Sequence, residues 1–216
     1  MKKFIAVAGN IGVGKSSLVN LLCMALDWSP VFEPVNENPY LADFYQDMKT
    51  WGFHSQIYFL THRIQIQQDI LKQSNSVIQD RSIYEDAEIF ARNLFNQGHL
   101  SNRDFQTYYE LYQSVSTFLP PPDLLIYLQA SIPTLQKRIR LRNRSYEKEI
   151  EPSYLEQLNQ LYNQWIESFS VCPVLTICAD DLDYVADESH LVLIKEKVQE
   201  KLTGKDQVIF PQRPPR

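Results

Sequence analysis

An α/β architecture, a five-stranded parallel sheet with helices on both faces, is the fold expected of this 216-residue chain. Three features carry that expectation. Five apolar runs of strand length recur along the sequence, stretches with apolar residues at helical spacing separate them, and a glycine-rich turn follows the first run directly. Strands joined through helices pair in parallel and bury both faces, so their sequences read as continuous apolar runs.

The first strand is KFIAVA (3–8), followed by the turn GNIGVGKSS (9–17) and a helix over SLVNLLCMAL (17–26). PVFEPV (30–35) is a second short strand, and Pro34 forces a turn after Glu33, because the residue before proline is driven out of the helical region. NPYLADFYQDM (38–48) and HSQIYFLTHRIQIQQDILKQ (54–73) are two helices, the second with a long apolar face. SVIQDRS (76–82) is a third strand that turns polar at its end, with a helical pattern after it through Phe95. A further helix over 103–118 stops at the three prolines 120–122, which supply no N–H and cannot continue it. DLLIYLQA (123–130) is an interior strand, and IPTLQKRIRLRNR (132–144) begins the next helix. In PSYLEQLNQLYNQWIESF (152–169), Tyr154, Leu158, Leu161, Trp165 and Phe169 fall along one helical face. PVLTIC (173–178) is the last strand and ESHLVLIKEKVQEKL (188–202) the closing helix. One domain over 1–205 and a Pro-rich tail over 206–216 complete the expected organisation.

Composition narrows the function. No run of about 18 apolar residues occurs, and FIAVA is too short for a secretory signal, so a cytoplasmic protein without a membrane partner is expected. Cys23, Cys172 and Cys178 have no metal-type spacing and read as small buried apolar residues. His54, His62, His99 and His190 form no cluster in sequence. A net charge of −5 disfavours nucleic acid, so a polyanionic ligand must be small and met by a local cationic cluster.

Such a cluster is present. Gly9, Gly14, Lys15 and Ser16 fit G-x-x-x-x-G-K-[ST] between a strand and a helix. Backbone N–H groups of that turn curl around phosphate oxygens, the lysine supplies a compact positive charge, and the serine hydroxyl suits Mg²⁺. The loop Gly9, Asn10, Ile11, Gly12, Val13, Gly14, Lys15, Ser16 and Ser17 is therefore the candidate ATP site. Glu33, Asp80 and Arg81 fall at strand ends, where parallel sheets bind their ligands. Alone, Asp80 and Arg81 would read as a structural ion pair. KRIRLRNRSYEKE places Arg138, Arg140, Arg142 and Arg144 within seven residues. Such a run is ordinarily a solvated face, but beside a phosphate loop it reads as a lid over about 138–150.

Five motifs in order, GNIGVGKSS, FEPV, QIYFLTHR, DRSIYED and RIRLRNRSYEKEI…YLEQLNQLYNQW, make the chain resemble the deoxynucleoside kinase family from about residue 3 to 185. The segment EPVNENPYLADFY looks most like the bacterial deoxyadenosine/deoxyguanosine kinases. The resemblance implies a P-loop kinase fold with an arginine-rich lid, and a homodimer. It also implies ATP- and Mg²⁺-dependent phosphorylation of the 5′-hydroxyl of purine deoxynucleosides, with deoxycytidine as a further substrate. By the same resemblance Glu33 contacts the 5′-hydroxyl as the base and Arg81 stands beside it. Asp80 lies near Mg²⁺ together with Ser16, and is the alternative proton acceptor. Tyr45 and Glu147 hold the sugar 3′-hydroxyl, Gln56, Arg63 and Asp86 face the base edge, and Arg138, Arg142 and Arg144 reach the donor phosphates.

The residues of the base-edge trio give an independent reading. Gln56 and Arg63 are seven apart, on one face of one helix. A glutamine offers donor and acceptor together. The Asp86 carboxylate accepts from an exocyclic amino group and repels the O4 of thymine, Arg63 can instead donate to guanine O6, and a buried Arg63–Asp86 pair satisfies both charges. Two positions depart from the family pattern: Asn143 stands where many lids have glycine, and Asp80 where many relatives have glutamate. The rivals are a thymidylate-type nucleoside monophosphate kinase and a non-catalytic nucleotide sensor. The first needs an arginine near the second strand to meet the acceptor phosphate, and FEPVNENPYLADFY contains neither arginine nor lysine. The second has no use for Glu33.

Overall fold

The computed structural model describes residues 2–32, 37–144, 147 and 150–204. Strands β1 (Phe4–Gly9), β2 (Ser29–Val31), β3 (Val77–Asp80), β4 (Leu124–Gln129) and β5 (Val174–Cys178) form one sheet in the order β2-β3-β1-β4-β5. Every neighbouring pair is parallel. All of β1 and β3, and β4 up to Leu128, are buried, so both faces of the central strands are covered. The chain leaves β1 for one side of the sheet and returns to its other side through β4. That reversal opens a crevice at the carboxyl ends of β1, β3 and β4.

The helices are α1 (Lys15–Leu26), α2 (Leu41–Gln46), α3 (Met48–Lys72), α4 (Ile83–Glu85), α5 (Arg92–Asn96), α6 (Asn102–Ser116), α7 (Ile132–Arg142), α8 (Pro152–Ser168) and α9 (Glu188–Leu202), with a π-helical turn Asp86–Ala91 between α4 and α5. Two cores result. One joins the sheet to residues of α1, α8 and α9, among them Val7, Leu18, Ile126, Leu158 and Val198. The other joins α2, α3, α6 and the 83–96 stretch through Phe44, Leu60, Ala87, Leu94 and Tyr108. Met48 and Tyr84 pack against both.

All five strands expected from the apolar runs are present, with differences at their ends. β2 stops at Val31, and Glu33 and Pro34 lie outside the described residues, as does the tail 206–216. α3 begins at Met48 instead of His54, because the Asp47 carboxylate accepts from the N–H groups of Lys49 and Thr50 and caps the helix. The early glycine of that helix is buried, where a Cβ at Gly52 would touch Leu94 at 3.5 Å. α6 ends at Ser116, two residues short of the expected end. Of the cysteines only Cys23 is buried; Cys172 is half-buried and Cys178 exposed. The last is a correction with a simple cause: burial alternates along edge strand β5, and Cys178 falls on its open face. No described helix is long and apolar enough to cross a membrane.

Ile126 is fully buried on β4 between β1 and β5. Ile126→Ala is expected to cost about 2–5 kcal/mol of stability, read as a lower urea midpoint with unchanged m-value.

Candidate active site

The phosphate loop is shaped by glycines that nothing else can replace. Gly9 has φ 144°, and a Cβ there would meet the Leu128 carbonyl oxygen at 2.5 Å. Gly14, at φ 107°, opens α1 without a side-chain cap or an acidic first turn, which leaves the helix N–H groups and dipole to an anion. Lys15 is buried and its Nζ donates to the carbonyls of Gly9 (2.9 Å) and Asn10 (3.0 Å), placing the charge inside the curl.

Side chains from distant elements brace this loop. Asn10 Nδ2 donates to the Leu155 carbonyl (2.8 Å) and Asn159 Oδ1 (2.7 Å), while Asn10 Oδ1 accepts from the Ile11 N–H (2.7 Å). Arg138 donates to the carbonyls of Val13 (2.7 Å) and Ala179 (2.8 Å), and the Tyr184 hydroxyl donates to Gly14 (3.1 Å). Asn10 and Arg138, both expected on the donor nucleotide, thus spend these side-chain groups on the protein itself. Burial disfavours the Asp180 carboxylate, but hydrogen bonds from Thr134 and Ser131 outweigh it and hold its pKa below the ordinary value at the start of α7.

At the end of β3, Ser16 Oγ donates to Asp80 Oδ2 at 2.5 Å, and the buried Asp80 Oδ1 has no hydrogen-bond partner among the described residues. An orphaned carboxylate oxygen next to a serine hydroxyl suits a hard cation such as Mg²⁺. The next residue, Arg81, has φ 68°, a region that costs a non-glycine residue about 1–3 kcal/mol. Its N–H still donates to the Val7 carbonyl at 2.9 Å, and Ser82 then caps α4, so strand becomes helix across two residues. The Arg81 guanidinium carbon lies 4.3 Å from the Phe90 ring centroid.

Arg63 holds the strand end from behind. Only 2% exposed, it donates from Nη1 to the carbonyls of Asp80 and Arg81, both at 3.3 Å, and from Nε to Asp86 Oδ2 at 3.2 Å. The buried Arg63–Asp86 pair expected from the sequence is therefore present. Gln56 lies on the same buried face of α3, and its Oε1 has no partner among the described residues.

A cavity of about 250 Å³ gathers these groups: Lys15, Ser16, Tyr45, Gln56, Asp80, Arg81, Asp86, Arg142, Arg144 and Glu147 all line it. Arg142 donates to both oxygens of Glu147, from Nε at 2.9 Å and from Nη2 at 2.6 Å, and Arg144 approaches at 3.5 Å. Asn143 has φ 53° at the end of α7, with its N–H donating to Ile139. Asparagine tolerates the left-handed conformation, so the departure from glycine keeps the turn. Phe44, Phe59, Phe90 and Tyr154 add aromatic walls to the cavity. Burial pushes the Tyr154 hydroxyl up to about 12.

The family model "Deoxynucleoside kinase" matches residues 5–203. The chain belongs to the deoxynucleoside kinase family. A deoxyadenosine/deoxycytidine kinase of Bacillus subtilis (strain 168) is 39% identical to this kinase over 196 residues, 90% of each chain. A deoxyguanosine kinase of the same organism is 37% identical, covering 91% of this chain and 96% of that one. Among solved structures, the deoxyadenosine kinase from M. mycoides with products dCMP and a flexible dCDP bound superposes with a TM-score of 0.82 at 32% identity, covering 91% of this chain and 99% of that one. The kinase therefore uses ATP to phosphorylate deoxynucleosides on a P-loop kinase fold, and the monophosphate kinase and sensor alternatives fall away.

The sequence reading missed several members of the site. Glu85 is fully buried and accepts from the N–H and hydroxyl of Ser82 (2.7 and 3.2 Å), a capping box whose S-x-x-E spacing was legible. Asn159 and Tyr162 sat unassigned on the apolar α8 pattern. Phe90 stands four residues after Asp86, a spacing that places both on one helical side.

Gly9→Ala should lower both ATP affinity, by more than tenfold, and the melting temperature, because the added methyl meets backbone. Gly98→Ala, with nothing within 4 Å of an added Cβ, should cost about 1–2 kcal/mol and leave ATP affinity unchanged. Nucleotide titration calorimetry and thermal melts of both variants check the contrast.

Proposed function

We propose that this kinase transfers the γ-phosphoryl of ATP to the 5′-hydroxyl of purine deoxynucleosides, deoxyadenosine and deoxyguanosine, with deoxycytidine as a further acceptor. The observation that carries the base preference is a pair of acceptors lining the cavity: Gln56 Oε1, without a hydrogen-bond partner among the described residues, and the Asp86 carboxylate. Both call for an exocyclic amino group, which adenine, guanine and cytosine possess and thymine lacks. Arg63, which donates to Asp86 and to two carbonyls, gives that buried carboxylate its counter-charge. The Bacillus subtilis relatives are named for the same three bases.

Roles follow from position. Lys15, Arg142 and Arg144 supply the charge that meets the donor phosphates. Ser16 and Asp80 would hold Mg²⁺, whose chemistry is to neutralise charge on those phosphates. With Asp80 assigned to the metal, the proton of the 5′-hydroxyl falls to Glu33. Support for Glu33 is the FEPV motif and the position of Phe32, the residue before it, on the cavity wall. Arg81 steadies the transferring phosphoryl, and Tyr45 with Glu147 holds the sugar. Homodimerisation fits Leu111 and Phe118, exposed large apolar residues on and just past α6.

Steady-state turnover with each of the four deoxynucleosides and their monophosphates tests this reading. Deoxyadenosine, deoxyguanosine and deoxycytidine should be phosphorylated, and thymidine and the monophosphates should not; turnover confined to monophosphates would overturn it. Glu33→Gln should keep ATP affinity and lose about 10²-fold or more in kcat, whereas near-full turnover would move the base role to Asp80. Asp86→Ala should change the order of preference among bases without altering ATP binding.

A further inference from the structure

Glu85 has a connectivity that a helix cap does not require. A cap uses Oε2, which accepts from the N–H and hydroxyl of Ser82. Oε1 serves other partners: it accepts from the Tyr162 hydroxyl at 2.7 Å and from the Gly9 N–H at 3.3 Å, and it stands 3.9 Å from Arg81 Nη1. Arg81 Nη1 in turn donates to the Tyr162 hydroxyl at 3.3 Å. The phenol oxygen thus accepts from the guanidinium and gives its own proton to the carboxylate. Burial first, and the neighbouring Glu85 next, push the Tyr162 hydroxyl well above its ordinary pKa, so the relay stays protonated.

Glu85 itself is fully buried and does not line the cavity, whereas Arg81 does. We propose that Glu85, acting through Tyr162, is a positioning residue for phosphoryl transfer: it aims the Arg81 guanidinium into the cavity and ties that aim to Gly9, the first residue of the phosphate loop. The proposal rests on the reading of Arg81 as the arginine that steadies the transferring phosphoryl.

The physical need is clear. A guanidinium 7% exposed, on a backbone in the left-handed region, requires a fixed counter-charge, since an unpaired buried charge is costly and would shift or rotate away. The carboxylate is immobilised on one oxygen by Ser82, which leaves the other as a fixed reference point shared by strand end and loop. Tyr162 comes from α8, the helix whose Leu155 carbonyl and Asn159 also brace Asn10, so loop and arginine take their positions from one rigid element. Misplacing a transition-state group by about 1 Å costs on the order of 10²-fold in rate.

The test measures kcat, KM for the best-used deoxynucleoside, ATP Kd and melting temperature for Tyr162→Phe and Glu85→Gln. Tyr162→Phe removes one oxygen and keeps the ring, which stacks on Tyr127 at 5.8 Å. The expected result is a kcat loss of about tenfold for Tyr162→Phe and up to about 10²-fold for Glu85→Gln, with ATP Kd within about threefold and Tyr162→Phe melting as the parent does. Because the chain begins at the guanidinium, Tyr162→Phe added to Arg81→Lys should cost less than about twofold more. Parental kcat in Tyr162→Phe, an undiminished loss in the Arg81→Lys background, or a kcat loss matched by lost ATP affinity or a lowered melting temperature would each overturn the proposal. Arg81→Lys turning over like the parent would instead remove the reading of Arg81, and this proposal with it.

Discussion

At Arg81 and Ser82 the chain must leave a buried strand and enter a helix within two residues, the first of them in a backbone conformation that an arginine rarely adopts. The conformation persists because the surroundings over-determine it. Val7 accepts the N–H, Arg63 donates to the carbonyl, and Ser82 with Glu85 closes the helix start that follows. The strain is the cause of the site's geometry: it sends the Arg81 side chain into the cavity directly beside Asp80. The proposed base-edge carboxylate is fastened to the same point, since the guanidinium that pairs with Asp86 also holds the carbonyls of Asp80 and Arg81.

The charges divide into two groups with different duties. Arg63 pairs with Asp86, and Glu85 stands beside Arg81; all four are almost wholly enclosed, so they act as fixed scaffolding. Arg142 and Arg144 are about one-third exposed and share the carboxylate of Glu147, an arrangement that water and salt can loosen. Fixed ionic contacts therefore surround the end of β3, and adjustable ones lie at the end of α7.

The parts of this structure that were legible in the sequence are those fixed by short-range rules. Five apolar runs gave five strands, because a doubly covered parallel strand has no polar face to show. The spacing of Gly9, Gly14, Lys15 and Ser16 gave the loop, whereas positions 63 and 86 were singled out by the family resemblance, and only their opposite charges then pointed to a buried pair. What stayed hidden depends on contacts across the chain. Arg138 sits in a run of arginines, and nothing in that run says that it donates to the carbonyls of Val13 and Ala179. Asn10 reads as a loop residue, although its amide reaches α8. The S-x-x-E box announces one oxygen of Glu85 and is silent about the other. The π-helical turn leaves no signature of its own, since apolar spacing does not distinguish an i→i+5 bond from an i→i+4 one.

β2 is three residues long, forms the sheet's outer margin, and carries Pro30 at its centre. A longer strand there would present a row of open N–H and C=O groups to any passing chain, and proline withholds one of the few donors available. Lateral growth of the sheet is thereby discouraged along that edge, beside the strand whose end carries Asp80 to the cavity.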